Sequence, residues 1–174
     1  MKKTLSMLLA GAMLAAALTG CGSSASTGSD SADSSTDSSA SGAAFKLGGT
    51  GPLTGAAAIY GNAAKNGAQI AVDEINAEGG DIQFELNYQD DEHDAEKAVN
   101  AYNTLKDWGM QLSLGSVTSK PCEATAAENY ADRIFALTPS ASSVAVTEGK
   151  DNVFQMCFMD PNQGTASAQY IAEQ

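Results

Sequence analysis

Downstream of residue 44, the chain alternates short β-type runs with longer stretches of helical periodicity. The strands predicted from these runs span residues 45–50, 82–88, 111–115, 134–137 and 153–158. Four helices are predicted, at residues 62–77, 95–108, 121–132 and 162–174. Asp94 is expected to cap the second of them, whose end lies at about residue 108. Strands that alternate with helices of this length predict a mainly parallel sheet with right-handed crossovers. The predicted fold is therefore α/β, a Rossmann-like three-layer lobe.

The periodicity also predicts which face of each early helix is buried. In the first helix, the apolar face is expected at Ala64, Ala68, Ala71 and Ile75. In the second helix, it is expected at Ala98, Ala101 or Tyr102, Leu105 and Trp108. The pair Gly79-Gly80 is expected to end the first helix, because glycine tolerates the left-handed conformation that often follows a helix.

Small hydroxyl residues cluster where the third and fourth predicted strands end. They are Ser116, Thr118, Ser119, Thr138, Ser140, Ser142 and Ser143. Ligands of parallel sheets bind at the carboxyl ends of the strands, so this cluster is a candidate binding site. Ser119 is expected at the start of the third helix, where free N–H groups favour a carboxylate. Helix caps and turns are the alternative interpretation of the same residues.

Several kinds of chemistry do not fit the sequence. The glycine-rich run 48–55 lacks the third glycine of a dinucleotide-binding loop, and no Gly-Lys-Ser/Thr of a P-loop follows. The acidic run 90–94 holds the only histidine, His93, but is better explained by helix capping than by a metal site. No serine or cysteine is spaced as a nucleophile with that histidine. No enzyme activity, metal or cofactor is therefore expected.

The first 44 residues predict export and tethering. Lys2 and Lys3 precede an apolar run, residues 5–18, that is too short to cross a bilayer as a helix. The ending Leu18-Thr19-Gly20-Cys21 resembles the lipobox of bacterial lipoproteins, which implies cleavage after residue 20 and lipid on Cys21. An ordinary secretory signal with a chance cysteine is the alternative. Residues 21–44 are expected to form a disordered Ser/Ala/Gly linker.

Charge and cysteine content narrow the function further. A processed chain would keep seven of the nine basic residues and all 21 acidic ones, a formal charge of −14. Nucleic acid is not expected as a partner, because basic residues supply most of that affinity. Cys122 and Cys157 could pair in an exported protein, but two unpaired, partly buried thiols are the favoured interpretation.

From residue 45 to 174 the sequence resembles the Leu/Ile/Val-binding type of periplasmic binding protein, the solute receptors of ABC importers. The resemblance is carried by Gly51-Pro52-Leu53-Thr54-Gly55, by Tyr60-Gly61, by residues 67–76 and by Gly79-Gly80. It continues through Asp90-Asp91, Gly115, Ser119, residues 138–142 and residues 160–164. The resemblance implies that residues 45–160 are the first of two ligand-binding lobes. Residues 161–174 would begin a crossover helix into a second lobe.

The resemblance also implies roles for single residues. Ser119 would bind the carboxylate of an amino acid through its hydroxyl and amide, and Ser142 would add hydroxyl and amide donors. Ser140 would offer its backbone carbonyl to the ammonium group, and Tyr60 would flank the side-chain pocket. Thr118 and Ala141 complete the predicted set of ligand-binding residues.

The sequence departs from the family at two points. Relatives often carry a disulfide between the loops after the second and third strands, and those positions correspond here to His93 and Thr118. The second lobe, which supplies an acidic partner for the ammonium group, is not part of this chain. A single lobe cannot exclude water from both sides of a ligand, so we expect weak or undetectable binding by residues 45–174 alone.

The resulting hypothesis is a lipid-anchored, extracytoplasmic solute-binding protein that delivers an amino acid or small amide-like ligand to an ABC permease. A ligand sensor for a signalling partner would use the same lobe and is the first alternative. An exported Rossmann-like enzyme is the second.

Overall fold

The computed structural model describes residues 44–174, which form five strands, four α-helices and one 3₁₀ turn. The strands are β1 (Phe45–Gly51), β2 (Phe84–Asp90), β3 (Leu112–Ser113), β4 (Phe135–Thr138) and β5 (Val153–Gln155). The helices are α1 (Ala58–Ala77), α2 (Ala95–Trp108), α3 (Ser119–Asp132) and α4 (Asp160–Glu173), with the 3₁₀ turn at Val144–Val146. The predicted leader, Cys21 and all but the last residue of the predicted linker lie outside the described residues.

All five strands pair in parallel, in the order β2-β1-β3-β4-β5. The chain moves outward from β1 to β2 and then crosses back to β3, so the strand order reverses between β1 and β3. All β-α-β connections have the same right-handed sense. Because α1 connects strands in one direction across the sheet and α2 and α3 connect them in the opposite direction, α1 lies on one face of the sheet and α2 and α3 lie on the other. The predicted Rossmann-like α/β fold is confirmed.

Helix α2 shows why the apolar pattern predicts the core well. Its buried residues are Ala98, Ala101, Tyr102 and Leu105, as expected. The Asp94 carboxylate caps the helix by accepting hydrogen bonds from the N–H groups of Glu96 and Lys97, at 3.0 and 2.9 Å. Tyr102 and Leu105 pack against Met110, with Trp108 and Ile134 partly buried around them.

The predicted buried face of α1 is wrong in its second half. Ala71 and Ile75 are exposed, whereas Gly61 and Val72 are the buried residues of this helix. The helix contacts β1 and β2. Gly61 lies so close to the loop after β1 that a Cβ there would overlap the Pro52 carbonyl. This close approach of backbone to backbone fixes the rotation of α1.

Two element boundaries differ from the prediction in ways that matter for the site. Helix α3 begins at Ser119, two residues before Pro121, which lies within its first turn. Strand β5 ends at Gln155, three residues earlier than expected, and α4 begins at Asp160. Every residue of α4 is exposed. Among the described residues, no helix has both the length and the apolar character needed to cross a membrane.

Candidate functional site

The loops that follow β3 and β4 meet at the carboxyl edge of the sheet, and Ser119 joins them. Its Oγ accepts hydrogen bonds from the backbone N–H groups of Ser142 and Ser143, at 3.2 and 3.4 Å. All three residues are half-buried. The structure therefore brings together the hydroxyl residues that the sequence analysis placed at the two strand ends.

This geometry orients the Ser119 hydroxyl. A serine oxygen has two acceptor lone pairs, and the two amides of the β4 loop use both. Within residues 44–174 the hydroxyl proton has no acceptor, so it is available to a ligand or to solvent. Ser119 is also the first residue of α3, and the N-cap residue Thr118 makes no side-chain capping bond there. The first-turn N–H groups of the helix are thus not satisfied by a side-chain cap, and the positive end of the helix dipole faces the same edge.

Ser140 and Ala141 lie in the same loop but have different surroundings. The Ser140 hydroxyl donates to the Val117 carbonyl at 2.6 Å, which ties the β4 loop to the β3 loop. Ala141 is fully buried, its N–H donates to Thr138 Oγ1 at 3.2 Å, and its carbonyl accepts from the Gln155 side chain. Ala141 is therefore buried beneath the surface of the loop with both backbone groups engaged, and its predicted place among the ligand contacts stays a prediction.

Thr118 and Tyr60 lie at the margin of the site. Thr118 Oγ1 makes a hydrogen bond of 2.9 Å with His93 Nδ1, so the loops after β2 and β3 are in contact here. Tyr60 lies in the first turn of α1, at the same edge of the sheet, and 65% of its surface is exposed. Its predicted role beside a side-chain pocket stays a prediction.

Part of the predicted hydroxyl cluster is structural. Ser116 and Thr138 are both fully buried or nearly so. Ser116 Oγ is hydrogen-bonded to Thr50 Oγ1, and Thr138 Oγ1 donates to the Ser116 carbonyl at 2.7 Å. These contacts connect β1, β3 and β4 just below the site. Both side chains therefore have a structural role as links between strands, and Thr138 also accepts the Ala141 N–H in the turn that follows β4.

Two residues that the sequence analysis did not single out hold the β4 loop from the other sides. Glu123, one turn beyond Ser119 on α3, accepts the Ser143 hydroxyl at 2.5 Å. Gln155, at the end of β5, donates its side-chain amide to the carbonyls of Ala141 and Ser143. Neither contact has a periodic signature in the sequence, because the partners are 12 to 20 residues apart and Gln155 bonds only to backbone carbonyls of the loop.

In the acidic run after β2, Asp94 caps α2 as predicted, whereas Asp90 and Asp91 bind backbone of the surrounding loops. Asp90 accepts hydrogen bonds from the Leu53 and Glu92 amides and from the Thr54 hydroxyl, at 2.8, 2.9 and 2.6 Å. Partial burial opposes ionisation, but these bonds together lower the pKa of Asp90. Through Leu53 and Thr54, Asp90 fixes the loop after β1.

Asp91 differs from its neighbour because it is fully buried. Its Oδ1 accepts the His93 N–H at 2.9 Å, while its Oδ2 has no partner within the part of the chain that the structure describes. Burial raises the pKa of Asp91, and Asp90 nearby adds to that effect. The structure gives no group of three or more metal-ligating side chains among residues 44–174.

Comparison with known proteins identifies the fold and the family. A sequence model of the family described as "Periplasmic binding protein" matches residues 44–174. The Leu/Ile/Val-binding protein BraC3 of Rhizobium johnstonii is 37% identical over 126 residues, which are 69% of this chain and 34% of that protein. The leucine-, isoleucine-, valine-, threonine- and alanine-binding protein of Pseudomonas aeruginosa is 33% identical over 132 residues, 74% of this chain and 35% of that one.

A solved structure gives the same result. The branched-chain amino acid transporter substrate-binding protein LivJ of Streptococcus pneumoniae, in complex with isoleucine, superposes with a TM-score of 0.63 at 32% identity. The match covers 67% of this chain and 34% of LivJ. The chain thus spans about a third of the length of the relatives it matches.

Proposed function

This chain belongs to the periplasmic binding protein family, and we propose that it forms the first lobe of a solute receptor that captures an amino acid for an ABC importer. The matched relatives are substrate-binding proteins and not enzymes, so the alternative of an exported enzyme is wrong. Two of the matched relatives are named as binding proteins for leucine, isoleucine and valine, and the name of the second adds threonine and alanine. A branched-chain amino acid is therefore the proposed ligand.

The contact between Ser119 and the β4 loop carries this proposal. Two amides fix the acceptor side of the Ser119 hydroxyl, so its proton can donate to a carboxylate oxygen at the N-terminus of α3. In the proposed complex, Ser142 adds its hydroxyl, and the Ser140 carbonyl accepts from the ammonium group. Thr118 and Tyr60 flank the ligand, and Ala141 supports it only from beneath.

Charge supports a zwitterionic ligand over a simple anion. The hydrogen-bond partners of Ser119 are neutral backbone amides, and one of these residues, Ser143, donates its hydroxyl to the Glu123 carboxylate. The chain as a whole has a formal charge of −12. A ligand whose carboxylate is accompanied by an ammonium group avoids the repulsion that a lone anion would meet.

A thermal-shift comparison of L-leucine with L-leucinamide tests the proposed function. The two ligands share the side chain and the ammonium group, but leucinamide has no carboxylate. L-Leucine should raise the melting temperature in proportion to RT ln(1 + [L]/Kd), and leucinamide should not. Equal shifts with both ligands would contradict carboxylate recognition. Because one lobe leaves the ligand in water on one side, the shift requires millimolar ligand.

We also propose that Cys21 carries lipid and anchors the protein on the extracytoplasmic side of the membrane, next to a permease. The sequence Leu18-Thr19-Gly20-Cys21 after a basic and apolar leader supports this proposal. Replacement Cys21→Ala removes the sulfur that would carry the lipid. The protein should then move from the membrane fraction to the soluble fraction, because the acyl chains provide its stable anchor. An unchanged membrane fraction would contradict it.

A further inference from the structure

The β4 loop, residues 139–143, is held in place by a side chain from the neighbouring strand. The Gln155 side-chain amide donates to two backbone carbonyls of this loop, those of Ala141 and Ser143, the second at 3.1 Å. Its Oε1 accepts the Thr147 hydroxyl at 3.3 Å. All three partners fit one orientation of the amide, with nitrogen toward the carbonyls and oxygen toward the hydroxyl.

The two carbonyls lie on either side of the two amides that contact Ser119. The Ala141 carbonyl shares its peptide group with the Ser142 N–H, and the Ser143 carbonyl belongs to the peptide group that follows Ser143, so Gln155 holds both ends of the segment that carries these amides. The Ser142 and Ser143 N–H groups then point to Ser119 Oγ, at 3.2 and 3.4 Å. Ala141 itself is fully buried in the cluster that contains Cys122, Val146 and Val153, so the loop has a rigid base.

We infer that Gln155 is a positioning residue: it sets the β4 loop so that the amides of Ser142 and Ser143 engage the Ser119 hydroxyl and leave its proton for the ligand. Its importance for ligand affinity rests on the proposed function. Its effect on the loop does not, since the contacts exist without a ligand. Gln155 is half-buried behind the loop, and its hydrogen-bonding groups are engaged by residues 141, 143 and 147.

The same strand provides a matched control at its other end. Asn152 also donates its side-chain amide to two carbonyls, those of Asn129 and Ile134, both at 2.9 Å. These carbonyls belong to the end of α3 and the start of β4, at the opposite edge of the sheet from Ser119. Loss of the Asn152 amide therefore costs two amide-to-carbonyl hydrogen bonds, as loss of the Gln155 amide does in addition to its bond with Thr147, without touching the β4 loop.

The test is amide hydrogen exchange measured by NMR on the whole chain carrying Cys21→Ala, which prevents lipidation. In the unsubstituted protein, the Ser142 and Ser143 amides should be protected; exchange as fast as in an unfolded chain would overturn the inference. Gln155→Met keeps the side-chain length but removes both donors. It should speed exchange at these two amides by about tenfold or more, the effect of losing one to two net hydrogen bonds.

The comparison with Asn152→Leu separates positioning from general stability. Asn152→Leu should speed hydrogen exchange near Asn129 and Ile134. At the Ser142 and Ser143 amides, it should change the exchange rate by no more than it changes the rate of the slowest-exchanging core amides. Equal effects of the two substitutions on the loop amides would overturn the inference, as would unchanged exchange in Gln155→Met. Adding L-leucine to the same samples distinguishes the positioning role of Gln155 from the proposed function. If exchange at the loop amides is faster in Gln155→Met, but L-leucine changes the amide signals neither of this variant nor of the protein without it, the positioning role is supported and the proposed function is contradicted.

Discussion

The backbone N–H of Ser142 donates to Oγ of Ser119 at 3.2 Å, and this bond joins the loop after β4 to the first residue of α3. Ser119→Ala removes it together with the weaker bond from Ser143. The free energy of unfolding should fall by about 1 kcal/mol, because two half-buried amides lose a partner but can reach water. Urea denaturation measures this. Ser119→Thr keeps the hydroxyl and should retain most of the stability; a loss as large as that of the alanine variant would contradict the assignment.

Gly61 and Gly67 provide a pair of glycines in one helix with opposite expected effects. A Cβ at Gly61 would overlap the Pro52 carbonyl, whereas a Cβ at Gly67 meets nothing within 4 Å. Gly61→Ala should lower the free energy of unfolding by about 2 kcal/mol or more, because backbone must move. Gly67→Ala should raise it by about 0.5–1 kcal/mol, because alanine favours the helix. The denaturation midpoint of each variant measures these changes. An unchanged midpoint in Gly61→Ala would show that the contact with Pro52 does not fix α1.

Asp90 and Asp91 should influence the pH dependence of stability with opposite signs. The pKa of Asp90 is lowered in the folded protein, so its stabilising effect is present above the unfolded value, about pH 4, and is lost as the pH falls further. The pKa of Asp91 is raised, so its ionisation destabilises the folded protein as the pH rises above about 4.

The matched substitutions test this directly. At pH 7, Asp90→Asn should lower the free energy of unfolding and Asp91→Asn should raise it relative to the unsubstituted protein. The difference for Asp91→Asn should shrink as the pH falls toward and below about 4, and the difference for Asp90→Asn should shrink only at lower pH, as the folded protein takes up a proton at its lowered pKa. Urea denaturation at a series of pH values provides the curves. Differences of the same sign for the two variants at neutral pH would contradict the burial-based account of Asp91.

The contact between His93 and Thr118 predicts that a covalent link can replace it. Their side chains are 2.9 Å apart at Nδ1 and Oγ1, so cysteines at both positions should approach bonding distance. In His93→Cys/Thr118→Cys, oxidation should form the bridge and raise the free energy of unfolding by about 3 kcal/mol over the reduced form. Peptide mapping by mass spectrometry identifies the bridge. The control is His93→Cys alone, and a double variant that stays reduced under oxidant would show that the loops do not approach as described.

The sequence predicted the elements whose patterns come from strong local signals. Helix α2 has a periodic apolar face, an Asp94 cap and a glycine, Gly109, in the left-handed conformation at its end. The approach of Ser119 to the β4 loop follows from the parallel strand order, since neighbouring strands end at the same edge. These features need no knowledge of side-chain packing.

Other features depend on packing that the sequence does not encode locally. Helix α1 is rich in alanine, so several faces have the same apolar spacing, and the backbone contact of Gly61 with Pro52 selects among them. Gln155 bonds to carbonyls 12 and 14 residues earlier in the chain. Any residue type supplies a carbonyl, so such a contact leaves no pattern to find. The burial of Ala141 leaves no local pattern for a related reason, because it depends on the cluster beneath the loop.

The most direct test of the central claim is an NMR titration of the ¹⁵N-labelled chain with L-leucine, repeated on Ser119→Ala. The account predicts that the amide signals of Ser119, Ser142 and Ser143 shift together, with saturation in the millimolar range. It also predicts that Ser119→Ala abolishes these shifts while the fold persists. Shifts confined to other parts of the sheet, or binding that Ser119→Ala leaves intact, would contradict a carboxylate site at the start of α3.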